Sequence, residues 1–158
     1  MIITLITVGT LKEDYLKDAA CEYKKRLSQY AKVEEINLKE ELIKDEDNSA
    51  EISKALENEA KRIIAAIPKD SYKIALCVEG REYSSPELAD IVRRANDSRG
   101  KLTLVIGSSH GLSENVKSEC DLRLSFSKLT FPHQLMRPLL YEVIYRSFTI
   151  LAGKRYHK

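Results

Sequence analysis

Three short segments of the sequence contain the residue types best suited to holding a ligand and doing chemistry on it. They are Leu76–Gly80, Ile106–Gly111 and Leu124–His133, and each comes at the end of an apolar run typical of a buried strand. Ligands of open parallel sheets bind beyond the carboxyl ends of the strands. We therefore expect a binding site among these segments.

Glycine and hydroxyl residues dominate two of these segments. Gly107 and Gly111 allow close backbone approach to a ligand, although this glycine spacing after a strand also fits a plain tight turn. The backbone of Leu124–His133 can hydrogen-bond an adenine edge while Leu129 and Phe131 pack on the ring faces. The positive N-terminus of the final helix would lie nearby. An ordinary strand-to-helix connection fits this segment equally well.

The reactive side chains cluster near the C-terminus. His133 and His157 are candidates to accept a proton, although a histidine at a helix start is also a common cap and one beside the chain end often has no role. Arg137 and Arg146 are candidates to bind phosphate. They are about two and a half helical turns apart, so they cannot point the same way. One of these two arginines could contact RNA while the other has a structural role.

Several classes of protein are excluded by what the sequence lacks. There is no dinucleotide-binding fingerprint and no phosphate-binding P-loop. Cys21, Cys77 and Cys120 are widely spaced, so we expect no disulfide and no metal site but reduced, buried thiols in a cytoplasmic protein. The apolar stretches are too short to span a bilayer. The apolar start Met1–Val8 has neither the positive flank nor the cleavage site of a signal peptide.

The net charge of +2 conceals an uneven distribution. From Arg123 to the end there are seven Lys or Arg against the single acid Glu142, which leaves 19 basic and 23 acidic residues elsewhere. A positive C-terminal third indicates a local anion-binding face. A solvated basic helix would give the same count.

Hydrophobic periodicity and turn residues predict alternating strands and helices over a single domain of residues 1–158. The predicted strands are Ile2–Val8, Val33–Leu38, Tyr72–Val78, Lys101–Ile106 and Asp121–Phe126. The predicted helices are Asp14–Tyr30, Asn48–Ile67 with a capping box at Asn48 and Glu51, Ser85–Ser98 with Ser85 as N-cap, Ser113–Lys117 and Pro132–Leu151. This alternation predicts an α/β fold with a parallel sheet covered by helices on both faces.

Ordered phrases along the whole chain resemble the RlmH family of knotted SPOUT methyltransferases. The phrases are Val8-Gly9, Glu22-Tyr23 with Arg26-Leu27, Ile106-Gly107 with Gly111-Leu112, Leu124-Ser125 with Thr130-Phe131-Pro132-His133, Tyr145-Arg146, and the terminal Tyr156-His157-Lys158. That family methylates N3 of pseudouridine 1915 in helix 69 of 23S rRNA on assembled ribosomes. The resemblance implies an enzyme that uses S-adenosylmethionine and needs no metal or membrane.

The resemblance also implies a fold, an assembly and a set of site residues. The C-terminal part of the sheet would be threaded into a trefoil knot, and the protein would be a homodimer with its RNA site shared between subunits. The cofactor would be held by Leu76, Gly107, Phe126, Ser127, Lys128, Leu129, Thr130 and Phe131. Catalysis would involve His133, Arg146 and His157, and RNA would be bound by Arg137, Arg146, Tyr156, His157 and Lys158.

Two positions depart from the pattern of the family. Ser108 stands where a second glycine is usual, so the cofactor loop must accommodate a Cβ atom. Pro138 falls within the final helix, where it removes a backbone donor and favours a kink that would shift Arg146.

Three other functions remain open from the residues. A ribosome-binding SPOUT module without turnover would bind RNA but not the cofactor, and the intact Leu124–His133 segment argues against it. A SPOUT methyltransferase acting on tRNA is disfavoured because no RNA-binding domain is appended. A nucleotide-dependent oxidoreductase is disfavoured because the fingerprint is missing.

Overall fold

The computed structural model describes residues 1–157, which contain five strands and five helices in alternation. The strands are β1 (Ile2–Val8), β2 (Lys32–Leu38), β3 (Tyr72–Glu82), β4 (Lys101–Ile106) and β5 (Leu122–Ser125). The helices are α1 (Asp14–Leu27), α2 (Ser49–Ala66), α3 (Ser85–Arg99), α4 (Glu114–Ser118) and α5 (His133–Leu151). Lys158 lies outside the described residues, so its predicted contact with RNA has no structural counterpart here.

The strands form one sheet in the order β2-β1-β4-β3-β5, and every neighbouring pair is parallel. Parallel neighbours require crossover connections, which the helices supply. The predicted α/β fold with a parallel sheet is therefore confirmed. All five carboxyl ends lie along the same edge of the sheet.

The helices cover the two faces of this sheet. In β1, Ile3 and Leu5 pack into the larger core with α1, α3 and α5, whereas Ile6 and Val8 pack into a second core with α2 and α4. This alternation follows from the two-residue period of a strand. The continuous apolar run that marked β1 in the sequence therefore serves both cores.

Several predicted boundaries differ from the structure by one residue, and four differences in boundaries and caps have a clear physical cause or consequence. Helix α1 ends at Leu27 rather than Tyr30, because the next residues turn back into β2. Strand β3 continues to Glu82, past a register shift that the sequence did not indicate. Asn48 caps α2, but Glu51 bonds to Lys44 instead of closing the predicted box. The N-cap of α3 is Ser84, one residue before the predicted one.

The cysteines are less buried than predicted. Cys21 is exposed on α1, and Cys77 and Cys120 are only partly buried. Burial nevertheless raises the pKa of the Cys120 thiol to about 11, which keeps it protonated at neutral pH. Among the described residues, no disulfide forms and no helix is long and apolar enough to cross a membrane.

A buried ion pair fastens α5 to the sheet. Arg137 is 6% exposed and donates to Oε1 of Glu35 on β2 at 2.8 Å. The same guanidinium reaches the Thr7 hydroxyl at 2.7 Å and the Gly9 carbonyl at 3.1 Å, both at the end of β1. Tyr141, one turn along the helix, donates to the other oxygen of Glu35 at 3.0 Å.

These contacts correct one prediction. Arg137 was predicted to bind RNA, but its guanidinium is buried and occupied by partners within the chain, so it is a structural residue. The spacing argument that only one of Arg137 and Arg146 would face RNA is consistent with this burial. Helix α5 also continues through Pro138, which is itself buried.

We predict that Arg137→Met will destabilise the fold by roughly 3 kcal/mol, because it removes the buried cation that Glu35, Thr7 and the Gly9 carbonyl share. The part-buried Glu35 carboxylate would keep only the Tyr141 hydroxyl and the more distant Lys24 ammonium at 3.6 Å. Urea unfolding followed by circular dichroism measures the change. Arg94→Met is the matched control, since the Arg94–Asp90 pair on α3 is exposed and its loss should barely alter unfolding. Equal stability of the two variants would contradict the structural role of Arg137.

Candidate functional site

A cavity of about 680 Å³ opens at the carboxyl edge of the sheet. Its walls come from the three segments singled out in the sequence, which the fold brings together at the ends of β3, β4 and β5. The lining includes Leu76–Glu79, Ile106–Leu112, Ser125–Ser127 and Leu129–His133, with Lys117 and Met136. The cavity has the size and the mixed lining typical of small-molecule sites.

The loop after β4 is closely packed at Gly107. A Cβ atom on Gly107 would overlap the backbone of Gly111, so no other residue fits without moving the loop. Gly111 has φ +82, and its amide donates to the Ser108 carbonyl at 2.9 Å. The glycine spacing thus builds a tight turn that also forms a cavity wall.

Serine at position 108 is accommodated by a buried partner. Its hydroxyl donates to the Glu59 carboxylate of α2 at 2.9 Å, and both side chains are nearly inaccessible to solvent. The departure from two consecutive glycines therefore adds a hydrogen bond behind the loop.

The connection between β5 and α5 forms the opposite wall. The Ser125 hydroxyl donates to the Ser127 carbonyl at 3.0 Å, and the Ser127 hydroxyl accepts from the Leu129 amide at 3.1 Å. Leu129 is 68% exposed and Phe131 is 37% exposed, so apolar side chains border the cavity. Lys128, predicted among the cofactor residues, is exposed and is not part of the cavity lining, although Ser127 and Leu129 on either side of it are.

Two histidines line the cavity. His133, a predicted catalytic residue, begins α5 and lines the cavity. Its ring lies beside Gly9 at the end of β1, because a Cβ atom added to Gly9 would be 3.9 Å from the His133 Nε2 atom. His110 was not singled out from the sequence, although it lies within the Gly107–Gly111 loop that was. Its Nδ1 atom is 3.2 Å from the Ser109 hydroxyl.

A charged pair stands on the β3 side of the cavity. Lys117 of α4 bonds to Glu79, and this contact lowers the pKa of the Glu79 carboxyl. Burial raises the pKa of the neighbouring Cys77 thiol, so this thiol is a poor nucleophile. Glu79 lies within the Leu76–Gly80 segment singled out in the sequence, but nothing in the sequence indicated Lys117, because the contact joins residues 38 positions apart.

The remaining predicted catalytic and RNA-binding residues lie at the other end of α5. Arg146 donates to Glu142, and its guanidinium lies 4.9 Å from the centre of the Tyr156 ring. Tyr156 packs edge-on against Tyr145 at 5.0 Å and also donates to Glu142 at 3.3 Å. The C-terminal segment therefore folds back onto α5, and the Glu142 contact raises the pKa of Arg146.

One chain does not bring all of the predicted catalytic residues together. His133 and Arg146 are thirteen positions apart on the same helix, a separation of about 20 Å along its axis. His157 is exposed and follows the folded-back segment. Among residues 1–157 there is also no cluster of three or more side chains suited to hold a metal ion.

Comparison with known proteins assigns this chain to a class. Residues 1–157 match the family model described as "Predicted SPOUT methyltransferase". The chain belongs to this family of methyltransferases.

Close relatives within that family carry a common name. Proteins called ribosomal RNA large subunit methyltransferase H from Caldicellulosiruptor bescii and Caldicellulosiruptor saccharolyticus are 50% and 46% identical to this chain over 157 residues, which is 99% of this chain and 100% of each relative. The protein of that name from Shouchella clausii is 45% identical over 159 residues, 100% of both chains. The resemblance predicted from sequence phrases is confirmed.

Solved structures share the architecture at low sequence identity. A probable methylase family protein from Haemophilus influenzae Rd KW20 aligns with a TM-score of 0.55 and 16% identity, over 98% of this chain and 67% of that one. A structure titled for 2-OH methylation of C/U34 on tRNA aligns with a TM-score of 0.51 and 13% identity, over 97% and 98% of the two chains. These likenesses support the fold alone.

Proposed function

We propose that this protein uses S-adenosylmethionine to methylate N3 of pseudouridine 1915 in helix 69 of 23S rRNA on the assembled ribosome. The observation that carries the proposal is the cavity at the carboxyl edge, in a chain whose relatives are named for methylation of large-subunit ribosomal RNA. Action on the 70S ribosome or the large subunit implies a cytoplasmic protein. The basic C-terminal third supplies positive charge for the RNA.

The cavity fits S-adenosylmethionine in size and chemistry. Its volume of about 680 Å³ is within the range of sites for ligands of this size. Gly107 packs against the Gly111 backbone and so forms the compact turn that borders the cavity. Exposed apolar side chains at Leu129 and Phe131 suit the faces of an adenine ring, and the backbone of the same connection suits its polar edge.

When bound, the cofactor supplies an electrophilic methyl group on its sulfonium. The residues of this chain would orient the uracil ring and manage the proton that N3 carries as part of an imide. His133 is the candidate proton acceptor within the cavity because it borders the cavity at the start of α5. Cationic Arg146 is the candidate to bind phosphate or a uracil oxygen, and His157 is a second candidate acceptor.

A homodimer would unite these groups. Arg146 lies about 20 Å along α5 from His133 at the cavity, and Tyr156 packs beside Arg146, so a second subunit would have to supply these groups. Leu139 and Leu151 present exposed apolar surface on α5 that a partner could cover. We further propose, from the family to which the chain belongs, that the connection from β5 to α5 is threaded as a trefoil knot; its crossing from the sheet edge to the end of β1 is compatible with such a path.

Incubation with methyl-labelled S-adenosylmethionine and ribosomes lacking this methyl group tests the proposal directly. We expect label on N3 of pseudouridine 1915, located by mass spectrometry of RNA fragments. Label on tRNA would identify a different substrate. Ribosome binding without cofactor binding would show instead that the protein is a ribosome-binding module without catalytic activity.

We expect Gly107→Ala to weaken binding of S-adenosylmethionine by more than about tenfold, because the new Cβ overlaps Gly111 and forces the loop to move. Isothermal titration calorimetry measures the affinity. Gly100→Ala is the control, since Gly100 lies at the end of α3, outside the cavity lining and with open space around it. Its φ of +64 makes alanine unfavourable for the fold but should leave donor affinity unchanged. Unchanged affinity in Gly107→Ala would contradict the assignment of the cavity to the cofactor.

The shared site predicts complementation between inactive subunits. His133→Ala and Arg146→Ala homodimers should each lose most activity, whereas a purified heterodimer of the two should recover about half of the wild-type rate, because one of its two sites is intact. Differential tags allow its isolation after co-expression. A heterodimer as inactive as its parents, or a monomeric wild-type protein in sedimentation, would argue against a shared site.

A further inference from the structure

Glu59 is a buried carboxylate that the proposed chemistry does not use. It lies on the inner face of α2, is 3% exposed and does not line the cavity. Its two oxygens accept from the Ser108 hydroxyl and from the Glu41 backbone amide, each at 2.9 Å. It therefore links the loop after β4 to the segment that follows β2.

Burial of a carboxylate is unfavourable unless hydrogen bonds or a cation compensate it. Within residues 1–157 no lysine, arginine or histidine forms an ion pair with Glu59, so its two hydrogen bonds are the compensation. Its neighbours on the buried face of α2 are Ala55, Ala60 and Ile63. An apolar residue would suit this face for packing alone, so the carboxylate points to a specific task.

That task concerns the cavity wall on which Ser108 lies. The Ser108 carbonyl accepts from the Gly111 amide, and Gly107 packs directly against the Gly111 backbone. A shift of Ser108 would therefore change the turn that borders the cavity. The Glu59 carboxylate holds this turn from behind.

The other end of the link is also anchored. Arg62, one turn further along α2, donates to the Glu41 carboxylate at 2.6 Å and to the Lys39 carbonyl at 2.9 Å. The Arg62 guanidinium lowers the pKa of the Glu41 carboxyl. Through its two hydrogen bonds, Glu59 thus connects Ser108 to the segment around Glu41, which Arg62 of α2 also holds in place.

We propose that Glu59 is a positioning residue of the methyl-donor site, acting through the Ser108 hydroxyl to keep the Gly107–Gly111 turn in its binding shape. This inference rests on the proposed cofactor. It concerns a residue that touches neither the cofactor nor the RNA, and its effect should appear in donor affinity rather than in the rate of the bound complex.

Two substitutions of similar size separate hydrogen bonding from packing. Glu59→Leu removes both acceptor oxygens and should weaken S-adenosylmethionine binding about tenfold, equivalent to one net hydrogen bond. The kcat at saturating donor should stay within about twofold of the wild-type value. Glu59→Gln keeps one carbonyl acceptor and should recover most of the affinity. Calorimetry and steady-state kinetics provide the two readouts.

Glu51→Gln is the matched control. Glu51 is also on α2 and accepts from a backbone amide of the segment after β2, that of Lys44 at 2.8 Å, but it does not contact Ser108. It should bind the donor as the wild type does. Should Glu59→Leu not fold, Ser108→Ala removes only the loop end of the link and should weaken donor binding in the same direction.

Hydrogen exchange of the ligand-free protein separates this inference from the proposed cofactor. The Gly111 amide should exchange faster in Glu59→Leu and in Ser108→Ala than in the wild type, whether or not any donor binds. If the wild type does not bind S-adenosylmethionine but the two variants show this faster exchange, the proposed cofactor is refuted and the hydrogen-bonded link from Glu59 to Ser108 is retained. Wild-type donor affinity and unchanged Gly111 exchange in the variants would overturn the role of Glu59.

Discussion

The buried contact of Arg137 with Glu35, Thr7 and the Gly9 carbonyl holds the start of α5 against the ends of β1 and β2. Strand β5 lies at the far edge of the sheet, so the chain must cross the ends of β3 and β4 to reach this anchor. The crossing closes one side of the cavity. A buried guanidinium with three partners defines one position for the helix, because any displacement would leave charges desolvated and unpaired.

Helix α5 is long enough to place candidate functional residues at two separate regions of the surface. Its first turn borders the cavity with His133, and its last turns carry Arg146 and the aromatic cluster onto which Tyr156 folds. A rigid helix keeps these groups about 20 Å apart, whatever the state of the loops. This separation is the geometric reason why the proposed mechanism, in which both groups act on one substrate, requires two copies of the chain.

The turn after β4 illustrates how one substitution is accommodated in this chain. Where two consecutive glycines would leave the turn free of side chains, Ser108 adds a hydroxyl directed at the buried Glu59. Gly107 cannot change in this way, because the Gly111 backbone occupies the space of its Cβ. The two adjacent positions of this turn are therefore constrained differently. Position 108 has room for a side chain with a hydrogen-bond partner, whereas position 107 has room for glycine alone.

The sequence by itself determined the elements, the parallel sheet and the family, because periodicity, turn residues and ordered phrases are local properties of the chain. Most of the cofactor residues expected from the resemblance also line the cavity, whereas Lys128 does not. Only the tertiary structure decided that Arg137 is buried, that Glu59 bonds to Ser108 behind the cavity wall and that His110 lines the cavity. Arg137 meets Glu35 and Thr7 across 102 and 130 positions, and no local pattern encodes such pairings.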